Sequence, residues 1–212
     1  SDFLGDMSIT VTEMFRNPAV FKCIRQQVVA KLRTYSRINI WNVGCATGEE
    51  AYSIAIILEE EGLLDKAHIY ATDYDNEALS VAKKGIYPVS VMQKYTDNYL
   101  KAGGLGSFSD YYQARYEVAK MKSNLGDKIT FAHHNLMRDG SFAEMHLILC
   151  RNVLIYFNQT LQNSVLSLLR DSLVHRGFLV LGDKETLSFS SVEDEFEAFD
   201  MEKRVYRKKN LT

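Results

Sequence analysis

The amino-acid sequence predicts an α/β fold: a mostly parallel sheet with helices on both faces. Three observations lead there. Short apolar, β-prone stretches, "INIWNV" (38–43), "AHIYATD" (67–73) and "HLILC" (146–150), have the length of strands buried on both faces. A helical period from Glu49 to Glu61 lies between the first two, with Tyr52, Ile56 and neighbouring aliphatics inward. A second helical run, "NEALSVAKKGIY" (76–87), follows. Strand, helix, strand, helix at these spacings requires right-handed crossovers and therefore a parallel sheet.

In chain order, Asn17-Pro18 reads as a helix N-cap followed by proline at the first helical position. Phe21, Ile24, Val28 and Leu32 then recur at helical spacing, predicting a helix to about Arg33. Gly62 ends the helix after the first strand, and Gly85 ends the next. Residues 88–128 are less regular. Glycines 103, 104 and 106 mark a loop, "YYQARYEV" has strand character, and Gly126-Asp127 is a turn. The expectation is a short helical stretch, then a small β insertion at about 104–130. "KITFAHHN" (128–135) resumes the sheet, and Gln159 to His175 is a helix closed by Gly177. "FLVLGD" (178–183) and "KRVYRKK" (203–209) finish the sheet. The division expected is a helical lead-in over 1–36 and a main domain over 37–212.

Composition narrows the function classes. Of 212 residues, 46% are hydrophobic and 25% charged, with net charge −2, so no whole-surface field attracts nucleic acid or an acidic membrane. No apolar run approaches the roughly 20 residues that span a bilayer, and no signal-peptide pattern opens the chain. Cys23, Cys45 and Cys150 are odd in number and lack metal-site spacing. Free thiols in a reducing cytosol, hence a cytoplasmic protein, is the reading. His133 and His134 are adjacent on a strand and point to opposite faces, so they are taken as structural and no metal is expected.

The chemistry concentrates in "WNVGCATGEEAYSIAIIL" (41–58), a strand-to-helix corner. Asn42, Gly44, Ala46 and Gly48 alternate there, small enough for a ligand to approach the backbone. The G-x-G-x-x-G spacing that seats a pyrophosphate is missing, which disfavours a NAD-dependent oxidoreductase. Glu49 and Glu50 would also repel a pyrophosphate. A cationic ligand suits them, and S-adenosylmethionine carries a sulfonium and an ammonium but no phosphate. Asp73 ends the second strand at the carboxyl edge of the sheet, where a carboxylate can accept two ribose hydroxyls. Its competing reading is a helix cap, since "DYDNEA" holds several capping candidates.

"TGEEAYSIAI" (47–56), "ATDYD" (71–75), "KKGIY" (83–87) and "CRNVLIYF" (150–157) together resemble the chemotaxis-receptor glutamate methyltransferases, the CheR family. "TVTEMFR" (10–16) resembles the family's threonine-to-arginine segment just before the catalytic domain. The resemblance runs over essentially the whole chain from Thr10. It implies a Rossmann-like class I methyltransferase fold with a seven-stranded sheet and a small inserted β subdomain. The implied cofactor is S-adenosylmethionine (product S-adenosylhomocysteine), and the implied reaction is esterification of receptor glutamates.

Carried over by motif, Glu50 would bind the amino acid portion of the cofactor and Asp73 the ribose. Asn135-Leu136 matches the family's "NL" beside the adenine. Arg151 and Asn152 would line the methionine end. Thr12 and Arg16, with Thr10 where the family commonly has asparagine, would close the site from the N-terminal side. Arg16 and Tyr156 match the two residues next to the transferred methyl. A carboxylate nucleophile is already ionised at neutral pH, so both are expected to position rather than to move protons. Without the resemblance, Arg16 would read as surface, Tyr156 as core, and Arg151 equally as a salt bridge.

The departures are Thr10, Met14-Phe15 for two phenylalanines, Ala51 for proline, His146 for aspartate, and Gly182-Asp183-Lys184-Glu185 for G-H-S-E. They cluster toward the substrate side. The helical domain that family members usually carry ahead of this segment has no room before Thr10. The β insertion resembles in placement the family's docking subdomain, which in some members takes a receptor's C-terminal peptide by strand addition. The partner expected is a receptor cytoplasmic domain, with a monomeric enzyme and no nucleic acid. The alternatives are a methyltransferase with another protein or small carboxylate acceptor, and a non-catalytic cofactor sensor.

Overall fold

Seven strands form the main sheet: β1 (Ile38–Val43), β2 (Ala67–Asp73), β6 (Ile129–His133), β7 (Met145–Cys150), β8 (Leu173–Leu181), β9 (Phe196–Asp200) and β10 (Val205–Lys208). Their order is β6-β2-β1-β7-β8-β10-β9. The first five run parallel, and β10 is antiparallel to both β8 and β9. These features belong to a computed structural model that describes residues 12–142 and 144–210; Thr10 lies outside the described residues. The parallel sheet of the sequence reading is present, including its seven strands. The seventh, β9, came from the resemblance alone, since "FEAFD" was given no element of its own in the sequence reading.

The pleat explains the core. In β1, Ile38 and Ile40 pack into one apolar cluster and Trp41 and Val43 into the other, on opposite faces. Neighbouring β7 repeats the split, with Leu147 and Leu149 on one side and Ile148 and Cys150 on the other. Helix α3 (Glu49–Glu60) covers the first face and α7 (Gln159–Ser172) the second. Each of these buried Ile or Leu side chains contributes roughly 1.5–3 kcal/mol of burial. A central strand so enclosed is held in place by both layers.

The remaining helices are α1 (Pro18–Cys23), running through a π-helical turn (Ile24–Val28) into α2 (Val29–Leu32), then α4 (Asn76–Lys84), α5 (Met92–Lys101) and the short α6 (Ser123–Gly126). A second, antiparallel sheet has order β3-β5-β4, from β3 (Ile86–Pro88), β4 (Tyr112–Arg115) and β5 (Val118–Met121). Its first strand comes directly after Gly85, the glycine at which the sequence reading ended the preceding helix. Glu60 binds these pieces together. Its carboxylate pairs with Arg25 at 2.7 Å and accepts from Tyr111 at 2.7 Å, from Tyr99, and from the Leu105 N–H at 3.2 Å.

Two local expectations need correction. Asn17 is not a side-chain cap: it sits at φ 59, makes no capping bond, and its amide oxygen accepts from Arg151. The helix expected to reach His175 ends at Ser172, because Leu173 already pairs with Met145 and begins β8. Gly177 therefore lies within a strand, beside a register shift, rather than at a helix end.

Candidate active site

The strand order reverses at β1, which has β2 on one side and β7 on the other. A crevice opens at such a switch point, beyond the carboxyl ends of the strands. A cavity lies there, and four strand ends line it. Gly44, Cys45 and Ala46 follow β1; Asp73, Tyr74 and Asp75 come from the end of β2; Asn135, Leu136 and Met137 follow β6; Arg151, Asn152, Val153 and Tyr156 follow β7. Thr12 and Arg16 close it from the N-terminal segment. Every described residue that the resemblance assigned to the cofactor or the acceptor thus lines one cavity.

Gly44 has φ +66, and a Cβ there would sit 2.7 Å from Val153 Cγ2. Only glycine allows the β1 corner and the β7 loop to approach this closely. Ala46, at φ 48, turns its N–H onto Asp73 Oδ2 at 2.9 Å. Asp73 Oδ1 accepts the Asp75 N–H at 2.9 Å. The cap of α4 is Asp75, which accepts from the N–H groups of Glu77 and Ala78. Asp73 is therefore not the helix cap. It fastens the β1 and β2 corners, and its carboxylate, with about four acceptor positions, can still accept from a ligand. Burial pushes its carboxyl pKa up, against the opposing N–H bonds from Asp75 and Ala46.

The two glutamates part company. Glu50 lines the cavity, whereas Glu49 is buried elsewhere and accepts from Thr47 Oγ1 at 2.5 Å. Only Glu50 counts toward a cationic ligand, which corrects the pairing of the acids in the sequence reading. Burial raises the Glu49 pKa to about 7. Glu50 accepts from Asn42 Nδ2 at 3.2 Å and pairs with Arg151 at 3.1 Å. Burial raises its pKa too, and Arg151 opposes the rise.

Arg151 is both things the sequence allowed, a cavity residue and an ion pair. Its guanidinium also donates to Arg16 O at 3.1 Å and to Asn17 Oδ1 at 2.7 Å, and lies 5.2 Å from the Phe21 ring centroid. It thereby ties the segment carrying Arg16 to the floor of the cavity. His133 is exposed and His134 buried, as their alternation requires. The three cysteines are buried and unbridged. Sequence reasoning missed the supporting residues. Asn42 was seen only as small, although a polar residue inside an apolar strand was a signal; Glu185 was seen only as part of a departing motif.

The donor set fits S-adenosylmethionine. Glu50 offers a carboxylate to an ammonium, Asp73 offers one to a diol, and Leu136 and Met137 give an apolar wall for a base. Arg151 is already neutralised by Glu50, which leaves a pyrophosphate poorly served. An open sheet of this order, with this cavity at its switch point, is the arrangement that a class I methyltransferase requires. The family description "CheR methyltransferase, SAM binding domain" matches residues 10–205, and the chain belongs to this CheR family. Its cofactor is S-adenosylmethionine.

Similar proteins agree. A Pseudomonas putida protein named, provisionally, as methyltransferase Cher3 is 50% identical over 202 residues, covering 95% of this chain and 74% of that one. Chemotaxis protein methyltransferase 1 of Vibrio cholerae is 32% identical over 204 residues, 90% of this chain and 69% of its own. The chemotaxis protein methyltransferase of Listeria innocua is 30% identical over 188 residues, 88% and 69% respectively.

Proposed function

We propose that the protein esterifies glutamate side chains of chemotaxis-receptor cytoplasmic domains, acting in the cytoplasm. The observation that carries this is convergence: Arg16 and Tyr156, far apart in sequence, line the same cavity as Glu50 and Asp73. The names of the Vibrio and Listeria relatives support the acceptor class. When bound, S-adenosylmethionine supplies an electrophilic methyl for in-line transfer to a carboxylate oxygen, leaving a neutral thioether.

The protein's share is geometry and charge. Glu50 holds the ammonium, Asp73 the ribose diol, and Asn135 with Leu136 flanks the base. Arg151 and Asn152 border the methionine end, and Thr12 covers the site, with Thr10 assigned beside it. The acceptor carboxylate is ionised at neutral pH, so no general base is required. Arg16 orients it; a planar guanidinium suits a carboxylate, and Arg151 fixes where Arg16 leaves the backbone. Tyr156 places the reacting oxygen. Holding the acceptor too tightly would oppose reaction, because its charge is lost in the transfer. Alignment of two bound reactants can remove up to ~7–11 kcal/mol of barrier.

We assign the lead-in to residues 1–36 and the methyltransferase domain to 37–212. Strand β4 pairs only with β5 among the described residues, which leaves an edge for a receptor peptide. The test is transfer of labelled methyl from S-adenosylmethionine to purified receptor cytoplasmic fragments. Label released by mild base marks a carboxyl ester. Base-stable label, or labelling of other proteins or small carboxylates alone, overturns the acceptor assignment.

A further inference from the structure

Glu185 is buried, 4% exposed, and does not line the cavity. Its carboxylate accepts five backbone N–H bonds. Oε1 takes Gly182 at 2.7 Å and Asn152 at 2.8 Å; Oε2 takes Val153 at 3.0 Å, Leu154 at 2.6 Å and Ile155 at 3.2 Å. Four of these donors are consecutive, and they belong to the loop after β7. That loop carries Asn152, Val153 and Tyr156 onto the cavity wall.

The loop lacks the means to hold this shape by itself. Asn152 stands at φ 61, a conformation that a non-glycine residue adopts at a cost. The 3₁₀ turn Leu154–Tyr156 has no side-chain cap of its own from Val153. Within it, the N–H groups of Tyr156 and Phe157 close on the carbonyls of Val153 and Leu154. The four preceding N–H groups close on Glu185, which caps the turn from the turn that follows β8. The fit is tight: a Cβ on Gly182 would lie 2.8 Å from Glu185 Oε1 and 2.5 Å from Asn152 Oδ1. Converging N–H dipoles of this kind stabilise an anion strongly.

We propose that Glu185 is a positioning residue for methyl transfer. It sets the backbone of 152–155, and through it the placement of Asn152 and Tyr156 against the reacting groups. The inference rests on the methyl-transfer reading given above. A carboxylate that merely stabilised the fold could hold any loop. This one holds the single segment that joins β7 to Tyr156, in its strained form. Misplacement by about 1 Å at such a position costs on the order of 10²-fold in rate.

The test compares wild type with Glu185→Asp and Glu185→Gln. The amide of Glu185→Gln has one acceptor oxygen, so its NH₂ faces two or three N–H donors and the variant is exposed to misfolding. Glu185→Asp keeps the charge and withdraws it by one methylene, which keeps the test usable. Turnover on the receptor fragment is measured per folded molecule, alongside hydrogen exchange of amides 152–155.

For Glu185→Asp, kcat should fall at least ~10-fold while KM for S-adenosylmethionine moves by less than ~3-fold, because Glu50, Asp73 and Asn135 lie outside the loop. Exchange at 152–155 should quicken locally. Unchanged kcat in folded Glu185→Asp, beside an active wild type, overturns the inference alone. A wild type that binds no S-adenosylhomocysteine and transfers no methyl overturns the methyl-transfer reading, and this inference with it.

Discussion

Glu49 and Glu50 are neighbours in sequence and both held in buried surroundings, but only Glu50 lines the cavity, and the burial of Glu49 is measurable. A carboxyl whose pKa is raised by folding binds its proton more tightly in the folded state. Stability is then greatest below the unfolded pKa and declines as pH rises toward the folded one. For Glu49 that window runs from the usual carboxylate value to about 7. Glu49→Gln, which removes the charge and keeps the shape, should therefore gain up to roughly 2–3 kcal/mol at pH 8 and little at pH 4. Urea unfolding at the two pH values decides it; equal effects at both would remove the buried-acid account. At the same scale, Arg16→Ala should lose methyl transfer by at least ~10²-fold with S-adenosylhomocysteine affinity largely kept. Parallel loss of both in calorimetry would mean that Arg16 holds the cofactor rather than the acceptor.

Among the elements, Glu60 is the fastening between helix α3, the π-helical turn through Arg25, and the loop through Leu105 and Tyr111. Its ion pair with Arg25 is nearly inaccessible, at 3% and 5% side-chain exposure. Burial acts to raise the Glu60 pKa, but bonds from Tyr99, Tyr111, the Leu105 N–H and Arg25 outweigh it and hold it below the usual carboxylate value. Its stabilisation is therefore present above the unfolded pKa and lost as pH falls through the folded one. Glu60→Ala leaves Arg25 buried without its partner and should cost about 3–5 kcal/mol. A cost under about 1 kcal/mol in urea unfolding would place the fastening elsewhere.

What sequence revealed of these elements follows the same physics. Strands β1, β2 and β7 were legible because burial on both faces leaves an apolar run, and α3 and α4 because glycine ends them. Strand β9 was not, since "FEAFD" alternates weakly and lies at the sheet edge with two exposed residues. Glu60 and Glu185 were equally hidden. Their partners are backbone amides and side chains from distant elements, and no local spacing records them. Glu50 and Asp73 were legible because each sits at a strand end or helix start whose place in a parallel sheet is fixed.

At the scale of the whole molecule, the cavity joins the segment of Thr12 and Arg16 to the strand ends of the sheet. Glu50 lines the cavity, and Arg151 joins Glu50 to Arg16 and Asn17. A ligand that binds only the folded state stabilises it by about 2.7 kcal/mol at 100 times its Kd. For a chain of this size that corresponds to a rise in Tm of roughly 5–10 °C. S-adenosylhomocysteine should produce that rise in wild type, and Asp73→Ala should abolish it. The pH dependence has a definite sign. Burial raises the carboxyl pKa of both Glu50 and Asp73, and the ligand's ammonium and diol favour their ionised forms. Binding therefore releases protons wherever those carboxyls are partly protonated, and affinity falls as pH falls. Because both pKa values are raised, the loss should begin above the ordinary carboxylate range. A Tm rise that stays constant from pH 8 down to pH 5 would mean that these carboxylates do not hold the cofactor, and a rise retained by Asp73→Ala would separate Asp73 from it directly.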